Sequence, residues 1–177
     1  PPAMDRHPLI PKLALAVTFV TLCSCEPADL SDRFAAEILL EGKNSPRKPT
    51  RLRFFPTGDE LLVTTKEGRV HHLRLGVDGF EPLGSFVVPD VKPAPSDLGL
   101  TDVLFDPLFE STRRIYFCFT TGDNKTNRIV MMEWQDDYEA IPESLQVVLE
   151  VSRRKPPEAW HGIYSIEFGA DRYLYAA

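Results

Sequence analysis

The sequence predicts an all-β fold, and three observations predict it. Beyond residue 45 the apolar runs are short, rich in Val, Ile, Phe and Tyr, and separated by turn-forming clusters. No stretch in that region carries the 3.6-residue apolar period of a helix. A weak internal repeat also runs through it: an apolar strand ending in Phe, a tight turn two residues on, then a second apolar strand. The copies begin at Arg53-Phe-Phe-Pro-Thr-Gly-Asp, at Leu104-Phe-Asp-Pro-Leu-Phe and at Glu167-Phe-Gly-Ala-Asp, and their anchors Phe54, Phe105 and Phe168 lie 51 and 63 residues apart. A period of roughly 40–50 residues with about four strands per unit is the signature of a β-propeller blade. A β-sandwich is the alternative that the same strand pattern allows.

Taken in order, the expected strands cover residues 51–55, 60–65, 69–75, 84–88, 102–106, 114–120, 127–134, 146–151, 164–168 and 173–176. Thr57-Gly58-Asp59, Lys66-Glu67-Gly68, Val77-Asp78-Gly79 and Gly122-Asp123-Asn124 supply turn chemistry between them. Each blade buries its faces against its neighbours, so a chain of about two blades plus the start of a third is expected to self-associate or dissolve poorly. The chain ends in the apolar run Tyr173-Leu-Tyr-Ala-Ala177, and we read it as a piece of a longer reading frame with Met4 as its start.

The first residues read as an address. Arg6 and Lys12 precede the apolar stretch Leu13 to Leu22, too short for a membrane-spanning helix of about 20 residues but suited to a signal-peptide core. Leu22-Cys23-Ser24-Cys25 resembles the bacterial lipobox, which implies removal of residues 4–24 and acylation of Cys25. An ordinary secretory signal with an incidental Cys pair is the alternative. The domain boundaries expected are therefore 4–24 for a lipoprotein signal peptide, 25–45 for a tether leading into the fold, and 46–177 for the propeller part. Within the tether, residues 32–40 read as a short helix or an edge strand. The expected location is a bacterial membrane, with the protein exported and facing the periplasm or cell exterior.

Composition narrows the function classes. A net charge of −6, with basic residues scattered and only Arg153-Arg154-Lys155 clustered, argues against a nucleic-acid surface. After cleavage, Cys25 and Cys118 are the cysteines left, so no disulfide framework is expected; Cys118, in Ile115-Tyr-Phe-Cys-Phe119, reads as a buried strand residue.

Three ordered segments carry a resemblance. Gly99-Leu-Thr-Asp-Val-Leu-Phe-Asp-Pro-Leu-Phe109 with Arg114-Ile-Tyr-Phe-Cys-Phe-Thr120 resembles the "GLLGIAFDPDF…YVYVYYT" segment of the glucose/sorbosone dehydrogenase family, and Asn127-Arg-Ile-Val fits the strand that follows it. His161-Gly-Ile-Tyr-Ser-Ile-Glu-Phe-Gly-Ala-Asp-Arg-Tyr-Leu-Tyr175 is similar to "HNGG-x-L-x-FGPDG-x-LY", and residues 49–70 fit the opening "F-x-PDG-x-LLV" segment. The resemblance covers residues from about 46 to the end.

It implies a six-bladed propeller of the soluble quinoprotein aldose dehydrogenase type, oxidising an aldose or related polyol with pyrroloquinoline quinone (PQQ) and calcium. Electrons would pass to a periplasmic acceptor such as a cytochrome c or haem domain. His161 falls on the family's general base, and a neutral imidazole near pH 7 suits that task. Asp97 is the nearest match to the acidic or amide residue before "GLLG" that lines the cofactor site. The chain departs from the pattern at Ile163 and Tyr164, where the family has paired glycines, and at Phe168-Gly-Ala-Asp-Arg172, which lacks the usual turn Pro and Gly. The family's remaining quinone contacts and calcium ligands lie later in its sequence, so no metal ligand is assigned in this chain and the 177 residues alone are expected to be inactive. A non-catalytic propeller lipoprotein that binds carbohydrate or protein is the competing reading, and a metal-dependent hydrolase on another propeller a third.

Other residues read as structural. His71 and His72 are neighbours on a strand, so their rings face opposite ways and do not chelate one ion together. Asp136-Asp137 with Glu139 lacks the spacing of a calcium loop. Asn124-Lys125-Thr126 has the form of a glycosylation acceptor, which a bacterial lipoprotein would not use. Gly99 and Gly122 read as turn or close-packing glycines.

Overall fold

The structure is a computed structural model that describes residues 40, 45–92, 98–135, 140–152 and 162–177. It is all-β apart from one helical turn. Strands β1 (Pro49–Phe54), β2 (Glu60–Thr65), β3 (Arg69–Gly76) and β4 (Gly79–Val87) form one antiparallel sheet in chain order. Strands β5 (Leu100–Phe105), β6 (Arg114–Thr120), β7 (Thr126–Trp134) and β8 (Ala140–Ser152) form a second, with the single turn α1 (Phe109–Thr112) between β5 and β6. A hairpin of β9 (Ile166–Phe168) and β10 (Leu174–Ala176) follows. Two four-stranded meanders and a hairpin, each opening on an equivalent strand, make a propeller-like arrangement.

The repeat read from sequence has a geometric counterpart. Phe54, Phe105 and Phe168 each close the first strand of a unit, and they pair with Leu61, Ile115 and Leu174 of the next strand. The three loops differ. Pro56-Thr57-Gly58-Asp59 is a tight turn in which Gly58 takes φ 88. The β5–β6 loop instead winds α1: Asp106 Oδ1 accepts the Leu108 amide at 2.8 Å, and Arg113 ends the turn in the left-handed region. One turn is too short to display a helical period, so nothing in the sequence announced it.

Each sheet is apolar on both faces, and alternation along β6 shows why. Ile115, Phe117 and Phe119 join Leu62, Val70, Phe86 and Val88 of the first sheet in the main core. Tyr116 and Cys118 point the other way, toward Leu104, Ile129 and Ile166 at the β9–β10 hairpin. A third small group, Leu61, Val63 and Leu73, covers the outer face of the first sheet together with Leu40. An aromatic set of Phe55, Phe105, Phe109 and Trp134 closes one end of the groove between the sheets, with Phe55 lying 4.5 Å from Phe105 and 5.2 Å from Trp134. The first-sheet anchor therefore differs from expectation: Phe55 enters the core, whereas Phe54 is 43% exposed.

Two strands are longer than their sequence implied. Pro82 in β4 and Pro142 in β8 break the apolar pattern, yet both lie in outermost strands, where a missing amide leaves no ladder unpaired. His72 is buried between Phe55 and Trp134 while His71 on the opposite face is half-buried, as strand alternation required. Burial, with Arg69 adding to it, holds the His71 imidazole below its ordinary value. No helix among the described residues is long and apolar enough to cross a membrane. Residues 4–24, Cys25, the stretch 32–39 and the carboxylates Asp136, Asp137 and Glu139 lie outside the described residues.

Candidate functional site

The opening strands of the three units lie side by side, and one buried carboxylate joins them. Asp102, in β5, is fully buried. Arg51 of β1 grips it with both arms of its guanidinium: Nε donates to Oδ1 at 2.7 Å and an Nη to Oδ2 at 3.0 Å. The Val103 amide donates to Oδ1 at 2.8 Å, and the Ile166 amide of β9 donates to Oδ2 at 2.9 Å. Two carboxylate oxygens offer about four acceptor positions, and four donors fill them. A buried ion pair is stable only when its remaining hydrogen-bonding capacity is met, and here it is.

Two arginines of one strand extend this link. Arg51 and Arg53 stand two residues apart and share a face of β1. Arg51 also donates to Ser165 Oγ at 3.2 Å. Arg53 donates to the Val103 carbonyl at 3.1 Å and to Glu167 at 2.7 Å. Guanidinium groups from the first unit thus reach across β5 to β9.

The lead-in to β9 is pinned at successive residues. A register shift between Leu100 and Asp102 turns Thr101, whose hydroxyl lies 2.9 Å from both the Cys118 and the Ile163 carbonyls and donates between them. The Cys118 thiol lies 3.5 Å from the same Ile163 carbonyl, and burial pushes that thiol up to about 12. Gly162 packs so closely on the β6–β7 hairpin that a Cβ would meet Asn127 Oδ1 at 2.9 Å. Asn127 Oδ1 itself accepts from Thr120 Oγ1 at 2.9 Å. Tyr164 and Ser165 donate from their amides to the Ala177 carbonyl. At the head of β5, Gly99 takes φ 134 and lies against the Lys66 carbonyl.

His161, Asp97 and Cys25 lie outside the described residues. The residues flanking the first two do meet: Thr101, four positions after Asp97, is bonded to Ile163, two positions after His161. Asp102, Arg51 and Thr101, which join the opening strands of the three units, were passed over by sequence reasoning. A signal was available, since Asp102 stands where the quoted family segment has the second Gly of "GLLG", and a charged residue inside an apolar strand calls for a partner.

A second concavity of about 330 Å³ opens at the far end of the same strands, among Phe55, His72, Phe109 and Trp134. At its side Glu60 accepts from His72 Nε2 at 2.7 Å and pairs with Arg74. Of the residues weighed from sequence it holds His72, which reads as structural. Among the described residues no three His, Cys, Asp or Glu side chains come together as a metal site. The described rim around Thr101 and Gly162 offers backbone, hydroxyl and small side chains rather than a set of metal ligands.

Two antiparallel meanders followed by an equivalent hairpin, tied through their opening strands, define a β-propeller-like chain. Residues 46–177 match the glucose/sorbosone dehydrogenase family, and the chain belongs to that family. The PQQ-bound form of an aldose sugar dehydrogenase from Streptomyces coelicolor is similar in structure, with a TM-score of 0.58 and 29% identity over 75% of this chain and 38% of that one. The apo-form of the soluble aldose sugar dehydrogenase of Escherichia coli gives a TM-score of 0.52 at 26% identity, covering 68% of this chain and 34% of that one. An uncharacterized protein of Synechocystis is 29% identical over 113 residues, which are 61% of this chain and 27% of its own length. The chain therefore spans well under half the length of the relatives it matches.

Proposed function

We propose that this chain is the N-terminal part of a six-bladed propeller, two blades and the start of a third, whose complete form oxidises an aldose or related polyol with PQQ and calcium. The observation that carries the reading is the family match over residues 46–177 combined with 29% identity to a sugar dehydrogenase known in a PQQ-bound form. When bound, the quinone supplies the redox chemistry by taking up hydride. The chain's own part is to orient the sugar and move a proton: His161 takes the proton of the anomeric hydroxyl, and Asp97 is assigned to the cofactor site by its match to the family's segment. A neutral imidazole is the side chain best matched to that transfer near pH 7.

The test is PQQ- and calcium-dependent dye reduction by the full-length protein across a panel of aldoses. The expected result is turnover that His161→Ala lowers by about 10²–10⁴-fold, the usual contribution of a general base. Absence of any PQQ-dependent turnover would overturn the reading in favour of a propeller that binds carbohydrate or protein without chemistry. Ile163 and Tyr164, larger than the glycines they replace, are the specific observation behind that second reading.

The complete protein is further proposed to be held on a bacterial membrane through an acylated Cys25, facing the periplasm or exterior and passing electrons to an acceptor such as cytochrome c. Multiple acyl chains anchor firmly, since each buried methylene contributes about 0.8 kcal/mol. Palmitate labelling that disappears in Cys25→Ser is the expected outcome; unlabelled wild-type protein in the soluble fraction would contradict it.

A further inference from the structure

We propose that the concavity among Phe55, His72, Phe109 and Trp134 is a saccharide site that holds one neutral sugar ring without chemistry. The proposal is independent of the dehydrogenase reading, and every residue that lines the cavity is among those described. The cavity also lies apart from the rim around Thr101 and Gly162. Phe105, against which the Phe109 ring packs at 4.9 Å, is four positions along β5 from Thr101, roughly 13 Å in a strand.

Local sequence builds the cavity from two loops and one polar corner. Pro56 and Gly58, the latter at φ 88, turn the chain and leave Thr57 and Asp59 exposed on one wall. The turn α1 supplies another wall, where Phe109 is buried and Glu110 beside it is exposed. Phe55 and Trp134 complete the floor, their ring centres 4.9 and 5.0 Å from that of His72. Glu60 holds His72 through Nε2 at 2.7 Å, and its other oxygen accepts Arg74 Nε at 3.0 Å. An apolar residue at position 72 would need no such partners, so the polar corner is kept against a burial cost. The volume of about 330 Å³ stands at the small end of ligand sites, roughly 300–1,000 Å³, and suits a monosaccharide unit.

The lining selects the class of ligand. An anion would meet the carboxylates of Asp59, Glu60 and Glu110. A metal ion lacks its ligand set among the described residues. A wholly apolar ligand would cover the rim carboxylates and leave them without partners. An organic cation finds its place over the Phe109 ring already taken, since the Arg113 guanidinium lies 5.1 Å from the ring centre. A neutral polyhydroxy ring meets none of these objections. Its C–H groups face the aromatic floor, and its hydroxyls, each able to donate and accept, meet a rim of carboxylates, a guanidinium and the Thr57 hydroxyl. Among the described residues Asp59 and Glu110 carry no side-chain hydrogen bond or ion pair, so both can accept from a ligand.

The experiment uses the full-length protein labelled with fluorotryptophan. Its probes are D-glucose, D-galactose and D-xylose, with ethylammonium chloride and sodium acetate as charged controls. The fluorine resonance of Trp134 is assigned by its loss in Trp134→Phe. It should shift saturably with at least one of the sugars, with neither control, and equally in His161→Ala. The double variant Asp59→Ala/Glu110→Ala should weaken that sugar's apparent affinity by about tenfold or more, as loss of hydrogen bonds to charged groups implies. Arg113→Gly removes the guanidinium at a residue whose φ of 54 already suits glycine, so it stays informative if the double variant does not fold. It should weaken binding by about threefold or more, the loss of roughly one hydrogen bond. The site is overturned by the absence of a saturable shift with all three sugars, by a shift that disappears in His161→Ala, or by one that survives undiminished in both rim variants. A response to ethylammonium or acetate as strong as to the sugars overturns the assignment to a neutral saccharide. Failure of PQQ-dependent turnover would remove the dehydrogenase reading alone, because the Trp134 signal is read without quinone.

Discussion

A methyl group at residue 99 has no space to occupy. An ideal Cβ there would lie 2.1 Å from the Lys66 carbonyl oxygen, and φ 134 belongs to glycine's territory. The obstacle is backbone from another strand pair rather than a flexible side chain, so relaxation must shift β5 itself. Gly99→Ala is expected to destabilise the protein by more than about 3 kcal/mol, at the severe end of single substitutions, as read by urea unfolding. A loss under about 1 kcal/mol would mean the approach is looser than the structure has it. The sequence identified Gly99 as a turn or close-packing glycine, and that much was legible because a lone Gly opening an apolar strand has few other uses. Its partner Lys66 was not, since the contact joins two segments more than thirty residues apart. Cys118 was likewise legible as a buried strand residue. With burial pushing its thiol up to about 12, the thiolate is scarce at pH 8. Cys118 should therefore resist iodoacetamide in the native protein at pH 8 and react promptly in denaturant; rapid native labelling would contradict its burial.

At the scale of elements, strands and turns were read well because period and turn chemistry are local, whereas their lengths were misjudged wherever proline met an outermost strand. The β9–β10 hairpin shows both sides of this. Its existence followed from the Phe168 repeat, but its turn is built from a residue that dislikes the conformation: Arg172 takes φ 65, where the family's pattern has Gly. Left-handed backbone costs a residue with a Cβ roughly 1 kcal/mol, partly offset by its lower entropy when unfolded. Arg172→Gly should accordingly raise stability by about 0.5–1 kcal/mol in thermal unfolding, and a decrease would show that the arginine side chain makes compensating contacts. The other test at this scale concerns the face that β6 turns to the first sheet. Phe117 is fully buried there and stacks edge-on against Phe86 at 6.0 Å. Phe117→Ala should cost about 3–5 kcal/mol, the range for truncating a buried aromatic. A cost near 1 kcal/mol would mean the two sheets are packed less tightly than their shared core indicates. The buried carboxylate of Asp102 belongs to this scale too, and its bonding escaped the sequence reading for a physical reason: its partners Arg51 and Ile166 come from β1 and β9, and only the stacking of units brings them together.

For the molecule as a whole, the balance of surfaces decides behaviour. The interior between the first two sheets is complete, with Leu62, Val70, Val103, Ile115, Phe117 and Met132 all buried. The outermost strand β8 is different. Val147, Val148, Leu149 and Val151 are each exposed, between 41% and 52%, and Tyr173 and Tyr175 of the final hairpin are exposed as well. Pairing sets Leu149 and Val151 on the Ile129 side of the sheet and Val147 on the Val130 side, with a register shift between them, so β8 shows apolar side chains on both sides and, among the described residues, an unpaired edge besides. Isolated soluble proteins seldom carry such a contiguous patch without a partner for it. The 177-residue chain expressed by itself should therefore self-associate, and sedimentation velocity should show species heavier than a monomer that grow with concentration. Replacing Leu149 and Val151 with Lys, two residues on one side of an edge strand, should move the population toward monomer by adding charge where pairing would occur. A monodisperse wild-type monomer that unfolds cooperatively would refute the expectation and would mean that the two sheets and hairpin are a self-sufficient unit. Association that persists undiminished in the double Lys variant would instead locate the sticky surface at the tyrosine-bearing hairpin, where the next unit of a propeller would pack.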